Sequence, residues 1–308
     1  MHMSPSAQQT LLQMFCKNNR LIHGIVAPAS AQTIAHVEAP FLLFLELLEP
    51  SGVSSSTNPV DGLLVTLLGR LHNTVAGSLV LLSTGKFQQA EILSRTVMES
   101  ALSFQYIMAE QSGHRLAHYF SNYVKEEREQ LRKWKNEIDG VTDAWRIDYE
   151  HRILDKQASL AGYEAFIEQF AATLPSLSKG SKAWPSLYDI CVALGRAVEY
   201  RTVHMAMCSQ VHHDAEDILN DFMIGSAEDY EQQSLELARE TGNFSIFLVL
   251  CGLRYYIECL SQLGSRYEMP TVVAQSNQSL DFIATLAASV AGSGFVNAKF
   301  DEFLPGNI

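Results

Sequence analysis

Two long apolar runs, Asp61 to Thr84 and Lys86 to Glu110, lie either side of a single Gly85, and no other feature constrains the fold of this chain as strongly. Each is too long for a strand, and apolar residues recur at helical spacing around much of its circumference. Glycine reaches the left-handed backbone region that ends helices, so Gly85 is suited to close the first run. With almost no linker left, the second run must turn back on the first. The pair predicts a central antiparallel hairpin within a helical core.

The rest of the chain reads the same way. Helical periodicity predicts a short helix over Gln8 to Lys17 and a second over Gln32 to Glu49, broken or kinked near Pro40, where a backbone donor is missing. Further helices are predicted over His114 to Ile138 and over Thr142 to Leu174, the latter bent near Gly162. Ser186-Leu187-Tyr188-Asp189 resembles a capping box and opens a helix to about Val198. Tyr200 to His213, Phe244 to Tyr267 and Asn277 to Ala291 complete the set. Loops rich in Ser, Pro and Gly occupy Pro50 to Pro59 and Pro175 to Pro185, but neither separates segments that look independently foldable. No strand alternation and no repeat of fixed period occurs. The expectation is an all-α protein, one domain over residues 1–308, built as a bundle of about eight to ten helices.

Composition narrows the class. A chain of 308 residues with 47% apolar content can bury a core without disulfides or metals. Its five cysteines, Cys16, Cys191, Cys208, Cys251 and Cys259, form no C-x-x-C pair, and their odd number points to reduced thiols and a cytoplasmic setting. The first residues lack the basic and apolar regions of a signal peptide. Arg70, His72 and Asn73 interrupt the oily stretch from Leu63 to Leu82, which therefore reads as a buried helix and gives no reason to expect a membrane partner. A net charge of -12 argues against non-specific nucleic-acid binding. Phosphate-binding, dinucleotide-binding, zincin and α/β-hydrolase motifs are absent, as are the paired E-x-x-H motifs of di-iron bundles, so no cofactor or metal is expected.

Two constellations carry chemistry. Glu91, Arg95 and Glu99 fall on one helix face at i, i+4 and i+8, with Ser103 a turn further on. On so apolar a helix such a stripe is either an internal ion-pair network or part of a site. The second runs from Arg201 to Asp214. There His204, Cys208 and His212 share a face, with Ser209 and His213 beside them. Histidine suits proton transfer near neutral pH, and Cys208 with His204 or His212 is a geometrically possible nucleophilic pair, although a thiol on an apolar helix is more often inert core. The charged run Lys125 to Lys135 reads as a solvated helix face with i,i+4 pairs; the alternative is a basic rim of Arg128, Arg132 and Lys135.

Arg95-x3-Glu99 with Tyr106, then Ala117-x-Tyr119-x3-Tyr123, then Tyr200 and Ser209-x2-His212, resembles a bacterial all-helical family of unknown function, DUF5677, over about residues 63–214. Ser100 stands where the family pattern has Ala directly after the Glu. The resemblance implies a ligand-binding or regulatory module with a polar pocket. In it Arg95 would orient Glu99 or hold an anionic group, and His212 would exchange a proton. Ser209, His204, His213 and Tyr123 would be the accompanying ligand contacts, and a small-molecule or anionic ligand the partner. Such families are similar in outline to HEPN ribonucleases of toxin and phage-defence systems, whose motif, an Arg followed four to six residues later by a His, is matched here by Arg146 and His151, which equally read as ordinary exposed helix residues. That alternative implies RNA as substrate, cleaved without a metal. A third reading is a homodimeric bundle joined through Phe244 to Tyr267.

Overall fold

All regular structure among the described residues of the computed structural model is helical, with no strand. The description covers residues 3–49, 51–53, 59–173, 183–211, 219, 222 and 230–305, with backbone alone at 23, 59, 143, 170–173, 209–211 and 293. The α-helices are α1 (Pro5–Asn19), α2 (Pro28–Leu48), α3 (Pro59–Ser83), α4 (Phe87–Met108), α5 (His114–Glu137), α6 (Asp143–Thr173), α7 (Leu187–Ala193) and α8 (Ala197–Glu199). A π-helical turn, Tyr200–His204, leads into α9 (Met205–Val211); α10 (Tyr230–Arg266) and α11 (Pro270–Ala291) follow. The chain divides into two compact units, Met1–Gln105 with Leu187–Ile308, and Tyr106–Ser186.

In the first unit the α3–α4 hairpin closes as expected. Gly85 takes φ +74°, Lys86 N–H donates to Leu81 O at 2.9 Å and Gly85 N–H to Leu82 O at 3.2 Å, the paired bonds of a Schellman cap. The two helices meet through small residues: the Ser78 hydroxyl reaches Ala90 O at 3.1 Å and Ser94 Oγ at 2.9 Å. α10 is the spine, about 55 Å long at 1.5 Å per residue. Ile246, Leu250, Leu253, Tyr256, Ile257 and Leu260 are fully or almost fully buried, and the helix packs on α11, α2 and α3. Close approach needs glycine: a Cβ on Gly252 would lie 3.0 Å from Ser94 of α4. α10 starts well before Phe244, because the polar turns from Tyr230 continue a helix whose later turns are anchored in the core.

α2 runs through Pro40 without breaking. A proline leaves the carbonyl four residues earlier without its helical donor. Here that carbonyl, His36 O, accepts a 2.6 Å hydrogen bond from the Ser279 hydroxyl of α11 instead. α7 is shorter than the sequence predicts. Gly195 at φ +74° stops it, with Arg196 N–H donating to Cys191 O at 2.7 Å, and helix restarts at Ala197.

In the second unit α5 packs on α6, burying Leu116, Ala117, Val124, Ile153 and Leu160. The charged run is a solvated face of pairs: Arg128–Glu164 at 2.6 Å, Arg132–Glu129 at 2.7 Å, and Glu127 with Lys156. The Trp184 ring is met edge-on by Tyr106, His118 and Tyr119 at 5.2–5.5 Å, and the Trp184 backbone N–H donates to Asn122 Oδ1 at 3.2 Å. Tyr106 and Tyr119 thus serve packing.

Three helices, Pro28–Leu48, Val60–Ser83 and Tyr230–Arg266, are long and apolar enough to cross a membrane by length and composition.

Candidate functional site

Glu99 is where the two constellations meet. α4 places Arg95 one turn before it, and Arg95 Nε donates to Glu99 Oε1 at 2.8 Å. From the π-turn, His204 Nε2 reaches the same oxygen at 2.9 Å. His204 is buried, Arg95 is about a quarter exposed and the Glu99 side chain is 38% exposed, so the group opens to solvent on the carboxylate side. π-turns insert an extra residue per turn and often occur at functional sites. This one carries Tyr200, whose ring stacks on His204 at 4.8 Å and 15°. Tyr188 packs edge-on against Tyr200, and its hydroxyl accepts from Arg201 at 3.2 Å. One turn on, Cys208 Sγ lies 3.8 Å from His204 Nδ1.

Electrostatics follow from these contacts. The His204 hydrogen bond first, and Arg95 second, hold the Glu99 carboxyl below its ordinary range, so it is an ionised acceptor. Arg95 is raised in turn by its bond to Glu99. Burial pushes the Cys208 thiol up, opposed by the nearby Arg95 charge. Because a carboxylate only accepts, His204 must carry its proton on Nε2, which in the neutral ring leaves the Nδ1 lone pair facing Cys208. Among the described residues the hydrogen bonds of this pair use Arg95 Nε and Glu99 Oε1, leaving the terminal Arg95 nitrogens and Glu99 Oε2 for other partners.

Of the predicted site residues, the structure therefore unites Arg95, Glu99 and His204. The Ser209 side chain, His212 and His213 lie outside the described residues. Tyr123 is 42% exposed in the second unit, 6.0 Å from the Tyr163 ring. On α6, Arg146 pairs with Glu150 at 3.3 Å and, in the 3-10 turn that precedes the helix, with Asp139 at 3.6 Å; His151 is exposed on α6. Glu91 is completely buried and accepts from the Ser245 hydroxyl at 2.8 Å, which gives it a packing role apart from Arg95 and Glu99. Among the described residues no three His, Cys, Asp or Glu side chains are placed to share a metal ion.

The sequence reading missed a second polar network in the same unit. Arg196 donates to Glu258 at 2.6 Å and to Glu199 at 3.2 Å, and Gln105 donates to Glu258 at 3.2 Å. The Tyr255 hydroxyl donates to Glu199 while its ring lies under Arg196. Burial, then Glu199, raises the Tyr255 phenol far above its usual range. One signal was available: Glu258 is an acid within the oily run from Phe244 to Tyr267, and such a residue needs a buried cation.

Fold and site together define an all-α protein with a half-open carboxylate locked between an arginine and a histidine. The chain belongs to the family described as "Family of unknown function (DUF5677)", whose model matches residues 61–231 and so takes in Arg95, Glu99, Tyr200, His204 and Cys208. No curated protein and no solved structure matches the chain.

Proposed function

We propose that this chain is a ligand-binding or regulatory helical module whose site is the Arg95–Glu99–His204 cluster. One observation carries the reading. Glu99 Oε1 is held from two sides while, among the described residues, no hydrogen bond engages Oε2 or the terminal Arg95 nitrogens at this part-exposed position. A charged pair preorganised in this way offers an acceptor and a two-pronged donor side by side. The ligand that suits it is a small polar molecule with an anionic group for Arg95 and a donor for Glu99. His204 fixes the carboxylate and is the proton-exchanging candidate in the role the sequence reading gave to His212.

The test is native mass spectrometry of the purified full-length chain, paired with thermal shift against small carboxylates and phosphates. A bound mass or a shift that is lost in Glu99→Gln and Arg95→Met, with folding retained, is the expected result. Binding that is identical in wild type and both variants would place the site elsewhere.

A cytoplasmic setting fits this reading. The exposed positions of α3 are Gly62, Thr66, Arg70 and Asn73, a stripe suited to water, and all five cysteines are free thiols. A homodimer joined through Phe244 to Tyr267 draws little support, because that run is spent inside its own unit. The bacterial HEPN-like ribonuclease of a toxin or defence system rests on the spacing of Arg146 and His151 alone, with Arg146 engaged by two acids. RNA cleavage that resists chelator and is lost in His151→Ala would favour it over ligand binding.

A further inference from the structure

Cys208, His204 and Glu99 form a chain of contacts in the order thiol, imidazole, carboxylate. Cys208 Sγ is 3.8 Å from His204 Nδ1, and His204 Nε2 is 2.9 Å from Glu99 Oε1. Nucleophile activation needs this order: a base in reach of the thiol proton, oriented by a third group that can only accept. In the neutral ring the carboxylate assigns the imidazole proton to Nε2, which leaves the Nδ1 lone pair toward the thiol. The other four cysteines lack the combination. Cys16, Cys191 and Cys259 are buried; burial raises both partly exposed thiols, Cys251 up to about 12, but at Cys208 the Arg95 charge opposes it and an imidazole is in reach.

We propose that Cys208 is a base-activated, redox-reactive thiol that exchanges with low-molecular-weight disulfides, and that the mixed disulfide it forms closes the Arg95–Glu99–His204 site. In the step, the Cys208 S–H proton passes to His204 Nδ1. The sulfur attacks one sulfur of the disulfide, a new S–S bond forms as the old one breaks, and the departing thiolate takes the proton back from His204. One thiol is consumed and one released; the electrons balance within the disulfide exchange. Cys208 is oxidised and the departing half of the small disulfide is reduced. The added group would sit one imidazole ring away from Glu99, on a sulfur near enough for the Arg95 and Glu99 charges to act on it. The reactivity stands independently of the ligand; only the closure rests on the ligand-binding reading.

The experiment treats the folded full-length chain with glutathione disulfide and, separately, iodoacetamide, and follows all five cysteines by peptide-level mass spectrometry. Cys208 is expected to react about ten-fold or more faster than Cys251, and His204→Gln to slow Cys208 about ten-fold while leaving Cys251 unchanged. Labelling of Cys16, Cys191 and Cys259 would report unfolding of a variant; Glu99→Ala, which removes the orienting acceptor, is the second variant and should slow Cys208 in the same direction. Equal rates at Cys208 and Cys251, or a Cys208 rate untouched by both variants in folded protein, would overturn the proposal. Cys208→Ser separates the two readings. If it still retains a ligand that survives treatment with glutathione disulfide, while wild type loses it, closure is supported. If Cys208 reacts in wild type but retention is unaffected, closure is lost and the reactive thiol stands.

Discussion

A single buried carboxyl shows how far this core departs from a simple oily bundle. Glu38 is 8% exposed, and burial pushes it up to about 7; burial likewise pushes His72 down to about 4. The two lie 3.6 Å apart, His72 Nδ1 is hydrogen-bonded with the Tyr256 hydroxyl at 2.8 Å, and Phe41 stacks on its ring at 3.6 Å. Both shifts favour the uncharged forms, and with His72 neutral near neutrality this contact is not an ion pair there. Their pH signs oppose each other. The folded state binds the Glu38 proton more tightly than the unfolded chain, with its ordinary 4.5, so that stability is fully present below 4.5 and is lost as pH rises through about 7. His72 works the other way: stability is present above 6.5 and is lost as pH falls toward about 4. Glu38→Gln removes the first loss. In urea unfolding, the variant should gain about 3 kcal/mol on wild type between about pH 4 and about pH 8. A stability difference that does not change with pH would show that Glu38 does not titrate in this range. Glu99 has the opposite sense: its lowered folded pKa stabilises above 4.5 and that contribution fades as pH falls through the folded value.

Between elements, the contacts that matter most are those a helix cannot provide for itself. Pro40 leaves His36 O to Ser279. Ser279→Ala should therefore cost about 1–3 kcal/mol, the usual range for stranding a buried acceptor. Pro40→Ala restores an N–H four residues after His36, so the same serine change should cost clearly less in that background. A double-mutant cycle with no coupling would refute this account. Helix approach gives a second contrast. A methyl on Gly252 meets the Ser94 backbone oxygen at 3.0 Å, whereas one on Gly77 meets only the tip of Leu93 at 3.3 Å. Gly252→Val should destabilise by about 1–3 kcal/mol or more through overpacking, and Gly77→Ala by under about 1 kcal/mol. Thermal melts that rank them in the opposite order would mean α10 and α4 are not in contact as described.

At the scale of the whole molecule, the two units hold very different amounts of core. The first has the buried length of α10 with its neighbours; the second rests on a few side chains of α5 and α6 and on exposed ion pairs, which individually add little. Native-state hydrogen exchange should find residues 114–173 opening at lower free energy than α10. Equal protection in both would indicate a single cooperative unit. The sequence by itself determined the helical class, the Gly85 hairpin and the face shared by Arg95 and Glu99, because these depend on periodicity and on backbone preferences within a few residues. It also brought His204 and Cys208 to attention as neighbours on one face. Only the tertiary structure decided that His204 is the histidine that meets Glu99, that Glu91 belongs to Ser245, and that Arg196, Glu199, Tyr255 and Glu258 form a network. Apart from Arg196 and Glu199, one turn apart, the bonded partners lie 56 to 154 residues from each other, and no local rule carries the register of one helix against another. That register is set here by the restart at Gly195, the π-turn at His204 and the glycine contact at Gly252, each of which depends on the helix it packs against.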